Sequence, residues 1–207
     1  MIDKEKYLSD PCYMSSLPYY KEKEMAVPEH ILIINDKEYK THSKHEYVEE
    51  LYFRLIHNLS GVTAPLLPEG FSLVCLTDNE LCKHINSCYE NISISLQEIK
   101  NIRQSEVYDK ELIIAVKEDA SGEIAASGIA VFDREINEGV LEWIQVSENY
   151  RRRGIGEFIV RYLLCKLKSK ADFVTVSGKV YNKNNPEKLY RKCGFIGDNV
   201  WHVLWRK

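Results

Sequence analysis

The sequence predicts an α/β (α+β) protein in which antiparallel strands are flanked by helices. From Phe71 to Lys207, short apolar runs alternate with stretches of helical spacing. Three consecutive strand-like runs, at residues 112–116 (LIIAV), 124–132 (IAASGIAVF) and 140–146 (VLEWIQV), are joined by connections containing DASGE and DREINEG, as neighbouring antiparallel strands are. The chain of 207 residues is 44% apolar and 29% charged, enough for one buried core or a core with an extension.

The elements follow in order. Residues 31–34 read as a strand, and residues 46–59 as a helix with Val48, Leu51, Tyr52, Leu55 and Leu59 facing inward. Pro65 and Pro68 mark a junction, so residues 1–70 are expected to form an N-terminal extension packed on a domain of residues 71–207. Residues 71–76 (FSLVCL) form a short strand, and Thr77 and Asp78 supply capping oxygens for an amphipathic helix ending near Tyr89. Residues 95–108 carry Leu96, Ile99, Ile102 and Val107 broadly on one helical side. After the three strands, residues 154–170 read as a helix with Ile155, Ile159, Tyr162, Leu163 and Leu167 on one stripe. Lys166, Lys168 and Lys170 suit the negative end of its dipole. A strand near residues 173–181 follows. Asn185 then caps a short helix with Pro186 in its first turn, Gly194 closes it, and residues 201–205 (WHVLW) form the last strand.

Composition narrows the function. A net charge of −3 gives no global drive toward nucleic acid or anionic lipid. The first residues, MIDKEKYLSDP, have no apolar signal core, and no window approaches the ~18 apolar residues of a membrane span. Six scattered cysteines without a CxxC pair fit a reduced, cytoplasmic protein. His42 and His45 form an HxxH without further ligands, and Cys82, His84 and Cys88 lack zinc spacing, so no metal is expected.

The informative segment is VSENYRRRGIG, residues 146–156, between a strand and a helix. Gly154 and Gly156 at a helix start let the backbone approach a ligand closely. The unpaired N–H groups of the first turn, Ile155 to Glu157, point at it, and the helix dipole favours an anion. Arg151, Arg152 and Arg153 add positive charge, so a pyrophosphate fits. A solvated charge run is the competing reading. A dinucleotide fingerprint fails because Ile159 stands at the third glycine, and a P-loop fails because no Gly-Lys-Ser/Thr follows.

This segment resembles the acyl-CoA-binding motif of the GNAT superfamily of N-acyltransferases, Q/R-x-x-G-x-G/A, at Arg151, Gly154 and Gly156. The longer form also matches at Val146, Tyr150, Arg153 and Ile155; Glu148 replaces the usual Pro and Arg152 a frequent Gly. Downstream, NNPEKLYRKCGF resembles the family signature N-x-x-A-x-x-L-Y-x-x-x-G-F, with Leu189, Tyr190, Gly194 and Phe195 in register. Asn182, Asn184 and Asn185 all stand near the place of the family's asparagine, and Asn182 and Asn185 are taken as cofactor-side candidates. The resemblance covers the last two-thirds of the chain and implies a mixed, mostly antiparallel central sheet flanked by helices.

It also implies chemistry: transfer of an acetyl group from acetyl-CoA to a primary amine, on a small molecule or a protein, by direct attack and without a metal. A lysine-like amine with a pKa near ~10.4 needs a base. Glu142, a carboxylate in an apolar strand on the expected alternation face of Val140, Ile144 and Val146, is the candidate, because half-burial would raise its pKa. A main-chain N–H at or near Val146 would polarise the thioester carbonyl, with Ile144 and Gln145 lining the pantetheine. Tyr190 is the candidate acid for the departing thiolate. The alternative is a non-catalytic acyl-CoA-binding or regulatory module. A nucleic-acid or membrane partner is not expected, and either a monomer or a homodimer is compatible with the sequence.

Overall fold

The computed structural model describes residues 2–24, 27–40 and 46–207, so the HxxH of His42 and His45 lies outside the described residues. In chain order the elements begin with α1 (Lys4–Ser9), α2 (Pro11–Met14), α3 (Tyr19–Glu24), β1 (Ile31–Asn35) and β2 (Tyr47–His57). Then come β3 (Phe71–Val74), α4 (Asp78–Cys88), α5 (Leu96–Gln104), β4 (Ile113–Glu118), β5 (Ile124–Asp133) and β6 (Glu138–Val146). The chain ends with α6 (Ile155–Leu167), β7 (Phe173–Lys179), α7 (Pro186–Lys192) and β8 (Ile196–Arg206). The pairings β1–β8, β2–β8, β3–β4, β4–β5 and β5–β6 are all antiparallel. The fold class is therefore the expected one: α/β (α+β), mostly antiparallel sheet with flanking helices.

Contacts divide the chain into two units, Met1–His57 with Thr175–Lys207, and Asn58–Val174. By these contacts, residues 1–57 group with the C-terminal segment.

In the Asn58–Val174 unit the strands run in the order β6-β5-β4-β3. One sheet face carries α4 and α5, where Leu81, Ile85, Ile94, Ile99 and Ile129 form a buried cluster joined by Trp143 and Tyr89. The other face carries α6, and the two pack closely at Gly128. A Cβ there would lie 2.6 Å from Ile159 Cγ2 and 3.2 Å from Ile144 Cδ1, so only glycine allows the helix to come so near. β5 is buried along nearly its whole length because helices cover both faces.

The Met1–His57/Thr175–Lys207 unit holds strands in the order β1-β8-β2-β7. Here one expectation fails: residues 46–59 do not form a helix but hold strand β2 (Tyr47–His57), which pairs with β8 from Tyr47↔Arg206 to Ile56↔Ile196. The physical reason is that β2 is covered on both faces, so Phe53, Arg54 and Leu55 are consecutive buried residues and strict alternation is lost. Arg54, 1% exposed, is satisfied by neighbours far along the chain, donating to the Tyr7 hydroxyl at 2.7 Å and the Pro11 carbonyl at 3.3 Å. Trp201 Nε1 donates to the Cys12 carbonyl at 2.9 Å and ties β8 to α2.

Candidate functional site

β6 ends at Val146, a short 3₁₀ turn spans Glu148–Tyr150, and α6 begins at Ile155. The link between them turns through Arg152 at φ 66 and Gly154 at φ 83, both left-handed. A residue with a Cβ is strained in that region by about 1–2 kcal/mol, which explains glycine at 154. Gly154 stands at the N-cap position of α6 and has no side chain with which to cap the turn. The first helical bond runs from Phe158 N to Gly154 O at 3.0 Å, so the N–H groups of Ile155, Gly156 and Glu157 face outward from the helix start.

The three arginines divide their work. Arg151 is half-buried and folds back, its Nε donating to the Val146 carbonyl at 3.2 Å. Arg152 is exposed, and exposed Arg153 lies 5.3 Å over the Tyr150 ring, whose hydroxyl is held by Glu123 at 2.8 Å. Glu157, a carboxylate in the first turn of α6, is paired with Arg161 at 2.9 Å. The loop therefore joins outward amides, a helix dipole and two exposed cations in one short stretch, a setting for a polyanion.

The β6 strand contains a feature that periodicity did not reveal. Its register on β5 shifts between Ile129↔Trp143 and Ala130↔Leu141, leaving Glu142 as the extra residue of a β-bulge. The bulge reverses the parity of the strand. Ile144 and Val146 share a face with Leu141 and Gly139, whereas Val140 lies with Trp143 and Gln145 on the opposite face. The expected common face of Val140, Ile144 and Val146 is thus corrected, and half-buried Glu142 is placed by the bulge.

Gln145 points away from Ile144 and Val146. It is 4% exposed, its Nε2 donates to Ser127 Oγ, and its Oε1 is buried without a hydrogen-bond partner. Beside it stands His84 of α4, bonded through Nδ1 to Ser127 Oγ at 2.8 Å and through Nε2 to Ser147 Oγ at 3.0 Å. Burial lowers the His84 pKa to about 4, raises that of Cys88, and pushes Tyr89 up to about 12. Sequence reasoning set His84 aside after finding no zinc spacing. Its signal was a histidine on the apolar face of an amphipathic helix, between Leu81 and Ile85.

The remaining candidates lie in the Met1–His57/Thr175–Lys207 unit. Tyr190 on α7 is buried, with ring centroids 6.2 Å from Phe53 and 5.8 Å from Phe195. Asn185, at φ 45, caps α7 by accepting from Lys188 N at 3.4 Å. The Asn182 side chain accepts from Asn184 N at 2.9 Å. Both asparagines shape the turn before α7. Among the described residues no three His, Cys, Asp or Glu side chains gather as a metal site, and no helix is long and apolar enough to cross a membrane.

Residues 109–196 match the family model described as an acetyltransferase (GNAT) domain. No curated protein matches the chain by sequence. A GCN5-related N-acetyltransferase from Sphaerobacter thermophilus is similar in structure at TM-score 0.64 and 20% identity, over 79% of this chain and 53% of that one. A GCN5-related N-acetyltransferase from Kribbella flavida is similar at TM-score 0.51 and 14% identity, over 79% of this chain and 61% of that one. A functionally unknown conserved protein from Staphylococcus epidermidis is similar at TM-score 0.57 and 10% identity, over 100% of this chain and 82% of that one. The chain spans about half the length of the first of these. At such identities the likeness is one of fold.

Proposed function

We propose that this chain, whose residues 109–196 match the GNAT acetyltransferase domain model, transfers an acetyl group from acetyl-CoA to a primary amine. The observation that carries the reading is the start of α6, where Gly154 at φ 83 stands at the N-cap without a side-chain cap bond and sets the amides of Ile155 and Gly156 beside exposed Arg152 and Arg153. The amides of Ile155, Gly156 and Glu157 bind the diphosphate, and Arg152 and Arg153 add charge. Arg151, anchored on the Val146 carbonyl, holds the loop in its bound shape.

The main chain at Ile144–Val146 orients the thioester, and an N–H there donates to the carbonyl oxygen as it gains negative charge. One aimed donor of this kind supplies about 3 kcal/mol. Glu142 accepts the proton that the attacking amine must lose. A β-bulge re-aims a side chain and interrupts strand pairing, which suits a base on an otherwise paired strand. The C–N bond forms, the C–S bond breaks, and the departing thiolate takes up a proton, for which the resemblance of residues 184–195 to the family signature makes Tyr190 the candidate donor. The acceptor is an amine of a small molecule or a protein.

Calorimetry with CoA, followed by turnover on a panel of amines, tests the reading. Glu142→Gln is expected to lower kcat about 100-fold, and Tyr190→Phe about tenfold, with CoA affinity kept in both. Well-folded protein that takes up neither CoA nor acetyl-CoA would remove the proposal.

A further inference from the structure

The last turns of α4 hold the final residues of β6 from the side. Tyr89, at the C-cap of α4, donates its hydroxyl proton to the Ile144 carbonyl at 3.3 Å and packs edge-on against Trp143 with centroids 5.8 Å apart. His84 meets Ser147 three residues further along. Ser147 occupies the N-cap of the 3₁₀ turn, yet its side chain makes no cap bond there. Its hydroxyl donates to the Ile124 carbonyl at 2.9 Å instead, while its N–H bonds the Ala125 carbonyl at 2.9 Å.

Hydrogen-bond bookkeeping fixes the direction of the whole chain. The Ser147 hydroxyl proton goes to Ile124, so Ser147 Oγ accepts from His84, and the imidazole proton sits on Nε2. His84 Nδ1 is then an acceptor and takes the Ser127 hydroxyl proton. Ser127 Oγ in turn accepts from the Gln145 amide. The polarised sequence is Gln145, Ser127, His84, Ser147, Ile124 carbonyl. It needs a neutral ring, and burial keeps His84 neutral through the physiological range. A serine that would otherwise cap the next turn is thus used to pin the strand end.

We propose that His84 is a positioning residue: through Ser147, and alongside Tyr89, it sets the main chain at Ile144–Ser147, where β6 passes into the α6 cradle. The inference rests on the acyl-transfer reading, because that stretch of main chain is the part assigned to the thioester. His84 does not touch the reacting atoms. It acts on the aim of the strand.

The test compares His84→Asn, whose amide reaches only the Nδ1 position, with His84→Gln, whose amide reaches the Nε2 position. Three quantities are read: amide exchange at Ile144–Ser147, CoA affinity by calorimetry, and steady-state acetyl transfer. In the Asn variant, exchange at these amides is expected to speed up about tenfold and kcat to fall about tenfold, the worth of one lost buried hydrogen bond, with KM for acetyl-CoA changed less than about threefold. The Gln variant should recover most of both losses. Ser147→Ala, which removes the far partner without touching the core histidine, should reproduce the Asn result even if the latter fails to fold. Wild-type exchange at Ile144–Ser147 in the variants, or an acceleration spread evenly over β4, β5 and β6, would overturn the proposal by leaving His84 an ordinary core residue. If the wild-type protein binds no CoA, the acyl-transfer reading falls by that measurement alone, and the local exchange still decides whether His84 pins the strand.

Discussion

Helices α4 and α5 begin in one way and α6 in another. Thr77 accepts from Glu80 N at 3.3 Å while Glu80 accepts from Thr77 N at 2.8 Å. Ser95 and Glu98 repeat the arrangement at 3.1 and 2.7 Å. Each is a capping box that closes first-turn donors with side chains. α6 has glycine at the corresponding place and no such bond. It compensates through burial, since Ile155, Phe158, Ile159, Val160, Leu163, Leu164 and Leu167 are all inside. A helix held by its apolar face can leave its positive end open. The difference between the two kinds of start teaches that side chains close the starts of α4 and α5, whereas the start of α6 is the one the proposed CoA binding uses.

The largest test of that division is acid. Unfolded histidine titrates at 6.5, and His84 in the fold at about 4. Because the folded pKa is depressed, the unfolded chain binds a proton that the folded one refuses. The stability is fully present above pH ~6.5 and declines as pH falls toward ~4. Between pH 7 and 4.5 the loss should be about 2.5 kcal/mol. Glu80 and Glu98 are held below their ordinary carboxylate range by their cap bonds, so their contributions fade at lower pH still. Denaturant unfolding across that window should show the slope in wild type and a flatter one in His84→Gln. Equal slopes would mean that the α4 face is not as closed as its geometry indicates.

Next in size is closing the open end. Gly154→Val meets no steric obstacle, since a Cβ would find only Pro68 Cγ at 3.7 Å, but it must adopt φ 83. At about 2 kcal/mol for a side chain in the left-handed region, the loop should leave its present shape and CoA affinity should fall roughly thirtyfold. Calorimetry reads the affinity and thermal melting confirms the fold. Unchanged affinity would show that the left-handed turn is incidental to binding.

What the sequence made legible follows the same line. The cradle could be read because its information is local: two glycines, three arginines and a strand ending in Val146 lie within eleven residues. The caps at Thr77 and Asn185 could be read for the same reason. Strand β2 could not, because Val48, Leu51, Tyr52 and Leu55 satisfy helical spacing, and the partners that make Arg54 a core residue, Tyr7 and Pro11, are brought in by the fold. The bulge at Glu142 was hidden too, since an extra residue exists only relative to the register of β5. The sequence picked out Glu142 as a carboxylate in an apolar strand; the face assigned to it depended on an alternation that the bulge breaks. His84 was visible as a residue, but its two serine partners lie 43 and 63 positions away.

The smallest expected effects lie at the closed starts, and they bear most directly on the comparison. Thr77→Ala and Ser95→Ala each remove the hydroxyl from a capping box and should cost about 1 kcal/mol of stability. The loss should appear as an earlier denaturant midpoint at unchanged slope, because the surface exposed on unfolding is the same. CoA affinity should stay within about twofold in both, since a change below ~0.4 kcal/mol is all that a remote cap should transmit. The two variants also control for each other. α4 carries the residues that pin β6 and α5 does not, so a binding loss confined to Thr77→Ala would mean that strain at the start of α4 reaches His84, seven residues and about 10 Å of helix rise away. A loss in both would mean that helix starts throughout this unit are coupled to the ligand, and the distinction between closed and open ends would have no functional content.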